Sequence, residues 1–153
     1  MRSFASAWSV IQGSDAGYAR FYGTDNDATA GCDGGFMSIV QGEDRPVLER
    51  GPGLPTLQRL VDRANGSDSI TVLINHFTRG ETVPAHTHHV EEVLLVIAGE
   101  CTVNVDGRQK TARAGDVVIV QPQADHSISH HCDEPCTVLA VLGSPDVQIG
   151  ATK

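Results

Sequence analysis

The sequence predicts an all-β fold, a double-sheet jelly roll or small barrel, and three observations carry that prediction. The second half of the chain is a series of short runs that are either apolar throughout or alternate apolar with polar, which is the period of a strand. Asp106-Gly107 closes one such run, and this dipeptide favours the positive φ that a two-residue hairpin turn needs. No convincing amphipathic helix competes with these strands, so the natural way to bury their apolar faces is sheet on sheet.

Taken in order, the first fifty residues are the least regular. Residues 23–35 are rich in Gly, Asp and Asn and read as a loop, and their aspartates do not make an EF-hand because the terminal glutamate is missing. Met37-Ser38-Ile39-Val40 reads as an additional strand. Residues 56–63 present two patterns. Leu57, Leu60, Val61 and Ala64 have helical spacing, but Asn65-Gly66-Ser67-Asp68 is a well-made turn leading into the apolar run 70–77, which favours a strand entering a hairpin.

Strands are then expected at 70–74, 93–97, 101–105, 117–120 and 137–142. Residues 1–50 are expected to be an extension, with an extra strand and loop, packing on a barrel formed by 51–153, the whole being one domain without repeat or linker. The run 93–97 is apolar on both faces. Only one face can point into a barrel, so the other should meet a second sheet or a second subunit, and a homodimer is expected.

Composition bounds the function. A chain of 153 residues can bury a real core but is short for two full domains. Eleven basic against nineteen acidic residues give a formal charge of −8, which argues against nucleic acid or an anionic membrane as partner. No apolar run approaches membrane-spanning length. The opening residues 1–8 lack a sustained apolar stretch after Arg2, so no signal peptide is expected and the setting is cytoplasmic, with the four cysteines reduced. Cys101 suits a buried strand position. Cys132 and Cys136 lie near His130 and His131, yet without the CxxC spacing of structural zinc sites. Cys32 carries no signal.

The chemistry concentrates in one segment. Three of the seven histidines fall in Pro84-Ala85-His86-Thr87-His88-His89-Val90-Glu91-Glu92. On an extended strand His86 and His88 project from one face as a pair of imidazoles, and Glu92 follows closely enough to reach the same ion. Imidazole with carboxylate and no thiolate suits a divalent transition metal such as Fe, Mn, Ni, Co, Cu or Zn better than Ca or Mg.

Gly80, His86, His88, Glu92 and Gly99 stand at the spacing of the first motif of the cupin superfamily, which this segment resembles. Residues 115–126, from Gly115-Asp116 to Asp125-His126, resemble the second motif, with Gln121 where the family usually has proline and Gln123 where it usually has glycine. The resemblance covers roughly residues 70–143 and implies a double-stranded β-helix, a small single-domain metal-binding cupin. It implies His126 as the last ligand, beside His86, His88 and Glu92, of one divalent metal (Fe, Mn, Ni or Zn).

Three imidazoles and one carboxylate leave an octahedral ion two open positions. There a small oxygenated substrate could chelate, with the metal acting as a Lewis acid or, as iron, activating dioxygen. A metal-dependent, dioxygenase-like oxidoreductase is the leading expectation. A non-redox isomerase, lyase or polyketide-type cyclase is the alternative, and a non-catalytic small-molecule binding module the third; one fold hosts all of these. Glu92 could instead act as a base. His130, four residues after His126, would share its strand face and is the further acid/base candidate. His89 and His131 alternate outward, His76 is open, and Gln121 and Gln123 read as loop residues within reach of a substrate only if they face the cavity.

Overall fold

Eleven antiparallel strands make up nearly all of the regular structure in the computed structural model, in which residues 39–41 and 45–150 are described. From Val40 onward the chain forms one unit. The strands are β1 (Val47–Leu48), β2 (Thr56–Val61), β3 (Thr71–Phe77), β4 (Thr82–His88), β5 (Glu92–Ala98), β6 (Glu100–Val105), β7 (Arg108–Arg113), β8 (Val117–Val120), β9 (His126–Ser129), β10 (Cys136–Leu142) and β11 (Ile149–Gly150). They form a six-stranded sheet in the order β1-β2-β3-β10-β5-β8 and a five-stranded sheet in the order β11-β4-β9-β6-β7. This is the double-stranded β-helix the sequence predicts.

Period-2 patterning makes the core. In β10, Cys136, Val138, Ala140 and Leu142 are buried while the residues between them are half-buried, and Leu94 and Val96 of β5 point the same way. Val83, Cys101, Val103, Ala112 and Ile128 answer them from the five-stranded sheet. The outer face of the larger sheet is also apolar, with Ile97, Val117 and Ile119 exposed, as the doubly apolar run 93–97 implies.

The ambiguous segment resolves as the strand β2. What remains of the helical spacing is one 3₁₀ turn, Arg63–Asn65, in which Asp62 Oδ1 accepts the Ala64 N–H and Asn65 Oδ1 accepts the Asp62 N–H. Gly66 then leaves in the left-handed region at φ 94°. β5 begins one residue earlier than the apolar run, and that residue is Glu92.

The expected strand at residues 37–40 is corrected in its described half: Ile39 and Val40 are not in a strand, and Ile39 is exposed. An isolated apolar pair has no ladder partner to hold it extended. Met37, Ser38 and the loop at 23–35 lie outside the described residues, as does Cys32. Of the later part of the expected extension, β1 pairs with β2, and the Arg50 guanidinium donates to Pro55 O and to Asn75 Oδ1. Cys101, Cys132 and Cys136 are free thiols, Cys101 and Cys136 buried. Among the described residues no helix is long and apolar enough to cross a membrane.

Candidate metal centre

β4 carries two of the three clustered imidazoles inward, and it does so by breaking its own alternation. Val83 is paired with Ile128 and His86 with His126, so three residue steps on β4 face two on β9. That is a β-bulge at Pro84 and Ala85. Without it Val83 and His86 would point to opposite faces; with it Val83, His86 and His88 are all buried. Pro84 suits the position because it has no N–H to offer the ladder.

Glu92 comes from the other sheet. It opens β5 opposite Leu142 of β10 and Val120 of β8, and it is 5% exposed, which for a carboxylate requires partners. His126 opens β9 beside His86 and Val105. One ligand atom from each of His86, His88, Glu92 and His126 lies within 4.8 Å of the others, and all four residues are buried. The site therefore bridges the two sheets.

The tautomers are set by the backbone. His86 Nδ1 donates to Pro84 O at 2.8 Å, His88 Nδ1 to Gln148 O at 3.2 Å and His126 Nδ1 to Ala124 O at 3.0 Å. Each neutral ring then keeps its lone pair on Nε2, and the three Nε2 atoms face inward. His86 Nε2 and His88 Nε2 are 3.0 Å apart, and His126 Nε2 is 2.8 Å from Glu92 Oε2. Donors about 2.1 Å from one ion and at right angles stand about 3 Å apart, so these separations fit a shared divalent ion. The 2.8 Å contact is close but not aligned as a hydrogen bond, since both atoms lack a directed partner. Converging ligand atoms have that property.

Electrostatics prepares the same set. Burial, with His126 and His88 close by, pushes His86 down to about 3. Burial also holds His88 below its ordinary value. For Glu92, burial alone would raise the carboxyl, but His126 at contact distance and His88 outweigh it and the net direction is down. For His126, burial works downward and the Glu92 carboxylate prevails, so the imidazole sits above its ordinary value. Two rings are thus held neutral and ready to ligate, while the Glu92 carboxylate favours the charged form of the third.

Two features explain the departures noted in the second motif. Gln123 adopts φ 65°, the left-handed region that glycine occupies freely, and its N–H donates to His88 O at 2.7 Å while its side-chain amide reaches the same oxygen at 3.3 Å. Gln121 donates to Glu91. Both amides are engaged with protein. At Gly99, φ is 71° and a Cβ would overlap the carbonyl oxygen of Pro135, so the β5–β6 turn requires glycine.

Residues 74–142 match the sequence profile of the family described as Cupin domain. That segment is a cupin domain. Over 118 residues the chain is 29% identical to gentisate 1,2 dioxygenase 1 of Aquipseudomonas alcaligenes, an alignment covering 76% of this chain and 32% of that protein, so the chain spans about a third of this relative. The polyketide cyclase RemF of Streptomyces resistomycificus has the same fold, with a TM-score of 0.63 at 21% identity over 76% of this chain and 87% of the other. So has the oxalate decarboxylase of Bacillus subtilis, a protein with Mn(II) centres, with a TM-score of 0.63 at 22% identity over 72% and 30% of the two chains.

Of the remaining expected residues, His130 stands apart from the cluster. It follows β9, fully buried, with Nδ1 donating to Glu100 O at 2.8 Å and Nε2 without a partner. His76, His89 and His131 are exposed. Cys132 meets Glu100 Oε1 at 3.1 Å, and among the described residues no second group of metal-ligating side chains forms around it. What the sequence reading missed are the carbonyls of Pro84, Ala124 and Gln148. A backbone oxygen has no compositional signal, although for His86 and His126 the acceptor lies just two residues upstream.

Proposed function

We propose that this cupin-domain protein is a metal-dependent enzyme of dioxygenase type, acting on a small oxygenated substrate at His86, His88, Glu92 and His126. The observation that carries the proposal is the convergence of three backbone-oriented Nε2 atoms and one buried carboxylate from two different sheets. A bound Fe, Mn, Ni or Zn ion would supply Lewis-acid polarisation of substrate oxygens and, as iron, a redox partner for dioxygen. The chain's own part is to hold that charge in place. One carboxylate against a divalent ion leaves the site net positive, which favours oxygen-rich or anionic substrates, and the buried apolar surroundings exclude competing water.

Glu92 is assigned as ligand. Its contact with His126 gives it a second capacity, to accept a proton once displaced from the ion. His130 is assigned as a further proton acceptor, because its Nδ1–H is held by Glu100 O and its buried Nε2 keeps a lone pair without a partner. The dioxygenase reading draws on the likeness to gentisate 1,2 dioxygenase 1. The likeness in fold to a polyketide cyclase supports the non-redox alternative.

The test is metal analysis of the purified protein followed by turnover of candidate hydroxylated substrates with and without oxygen. Native iron with oxygen consumption is expected, and His130→Gln should lower turnover without lowering metal content. Activity that persists anaerobically with Zn, Ni or Mn would move the assignment to the non-redox class, and tight ligand binding without turnover to a binding module.

A further inference from the structure

Where the two sheets part, the edge strands β7 and β8 border a cleft of about 640 Å³ that contains none of the four clustered residues. Its walls combine Val103, Val105, Ala112 and Val118 with Arg108 and Lys110. Lys110 pairs directly opposite the buried Val103, and Arg108 opposite Val105, so both cations project from the inner face of the sheet at its open edge. A volume of this size suits a small organic molecule.

The charges in the cleft are unequally engaged. Asp106 Oδ1 accepts the Asp125 N–H at 3.0 Å and Asp116 Oδ2 accepts the Arg113 N–H at 2.8 Å. The side chains of Arg108 and Lys110 enter no hydrogen bond or ion pair with the described residues. Arg59, Arg63, Arg79 and Arg113 are each salt-bridged, and Arg50 is hydrogen-bonded. In a chain of formal charge −8, two free cations two residues apart over an apolar floor are an uncommon arrangement.

We propose that this cleft binds a small carboxylate with an apolar body, the anionic group held between Arg108 and Lys110 and the body against Val103, Val105 and Val118. A guanidinium and an ammonium together favour a carboxylate over a neutral isostere through charge-assisted hydrogen bonds. The site is independent of the metal reading, since it uses none of those ligands. The competing physical account is that inward-pointing charges on an edge strand only prevent edge-to-edge pairing of sheets.

Hexanoate and its uncharged counterpart hexanamide distinguish these accounts when titrated into the purified protein and followed by methyl NMR. Hexanoate is expected to shift the methyls of Val103, Val105 and Val118, hexanamide is not, and the affinity should fall as salt rises. The double variant R108Q/K110Q should bind hexanoate at least about fivefold more weakly, two exposed ion pairs being worth about 1 kcal/mol or more together. The charge-conserving R108K should retain most of the binding, which controls for folding. Equal binding of the two probes, or hexanoate shifts that leave the methyls of Val103, Val105 and Val118 unmoved, would overturn the proposal. So would a double variant that binds hexanoate as before but self-associates on sedimentation, which would assign the charges to edge protection.

Discussion

Glu92 is the only anion among the converging ligand atoms, and it approaches His126 Nε2 to 2.8 Å and His88 Nε2 to 3.8 Å. Glu92→Gln keeps the size and one acceptor oxygen while removing the charge, so the two roles open to it separate cleanly. As a ligand, its loss should reduce metal affinity and activity together, by more than the roughly 10–100-fold that an outer hydrogen-bond partner costs. A pure base would leave metal content intact while turnover collapses. His88→Ala removes a ring nitrogen and should weaken metal under either role; titration with a competing chelator measures both. If both variants load metal like the parent, the constellation is not a ligand set.

At the scale of elements, the bulge in β4 decides which way His86 faces. Its extra residue lies between Val83, paired with Ile128, and His86, paired with His126. Deleting Ala85 removes the extra residue and leaves Val83 and His86 two residues apart, so strict alternation still points both inward. Val83 can then stay opposite Ile128 and His86 opposite His126, and the ligand set is kept. The expected outcome is a protein with the parent's far-UV spectrum and a melting temperature changed by no more than several degrees, with metal affinity within about tenfold of the parent's, less than loss of a ligand would cost. Loss of metal binding in the deletion variant would show that the bulge does more than reconcile the residue count with a shared face.

Across the whole molecule, the site links stability to pH because it gathers ionisable groups into the core. His86, held down to about 3 from an ordinary 6.5, and His88, also lowered, bind protons more weakly folded than unfolded. Their contribution is therefore complete above pH 6.5 and is lost as pH falls below it. Glu92, also depressed, adds a loss below its ordinary 4.5. His126 is raised, so its contribution has the opposite sign, present below 6.5 and lost as pH rises through its folded value. Thermal melts of metal-free protein from pH 8 to 4 should accordingly decline on the acid side of pH 6.5. Because His86 and His88 are both lowered, metal binding near pH 7 should release no more than about one proton, that of His126, measurable by calorimetry in buffers of different ionisation heat. Release of two or more would contradict this charge assignment.

The period-2 runs, the Asp106-Gly107 turn and the identities of His86, His88, Glu92 and His126 were legible in the sequence, because strand alternation and ligand chemistry are local properties. A residue carries its donor atom wherever the chain takes it. Tertiary structure alone decided what depends on register and on distant neighbours. The bulge moved Val83 and His86 onto one face against the count of residues. His88 found its tautomer-setting acceptor sixty residues away, at Gln148 O, only because β11 pairs with β4. Glu92 reached the three imidazoles because the opposing sheet packs over them, and Arg108 and Lys110 came to border a cleft because two edge strands diverge there. Each of these is a relation between strands, and a pairing register is set by the burial of all the strands together.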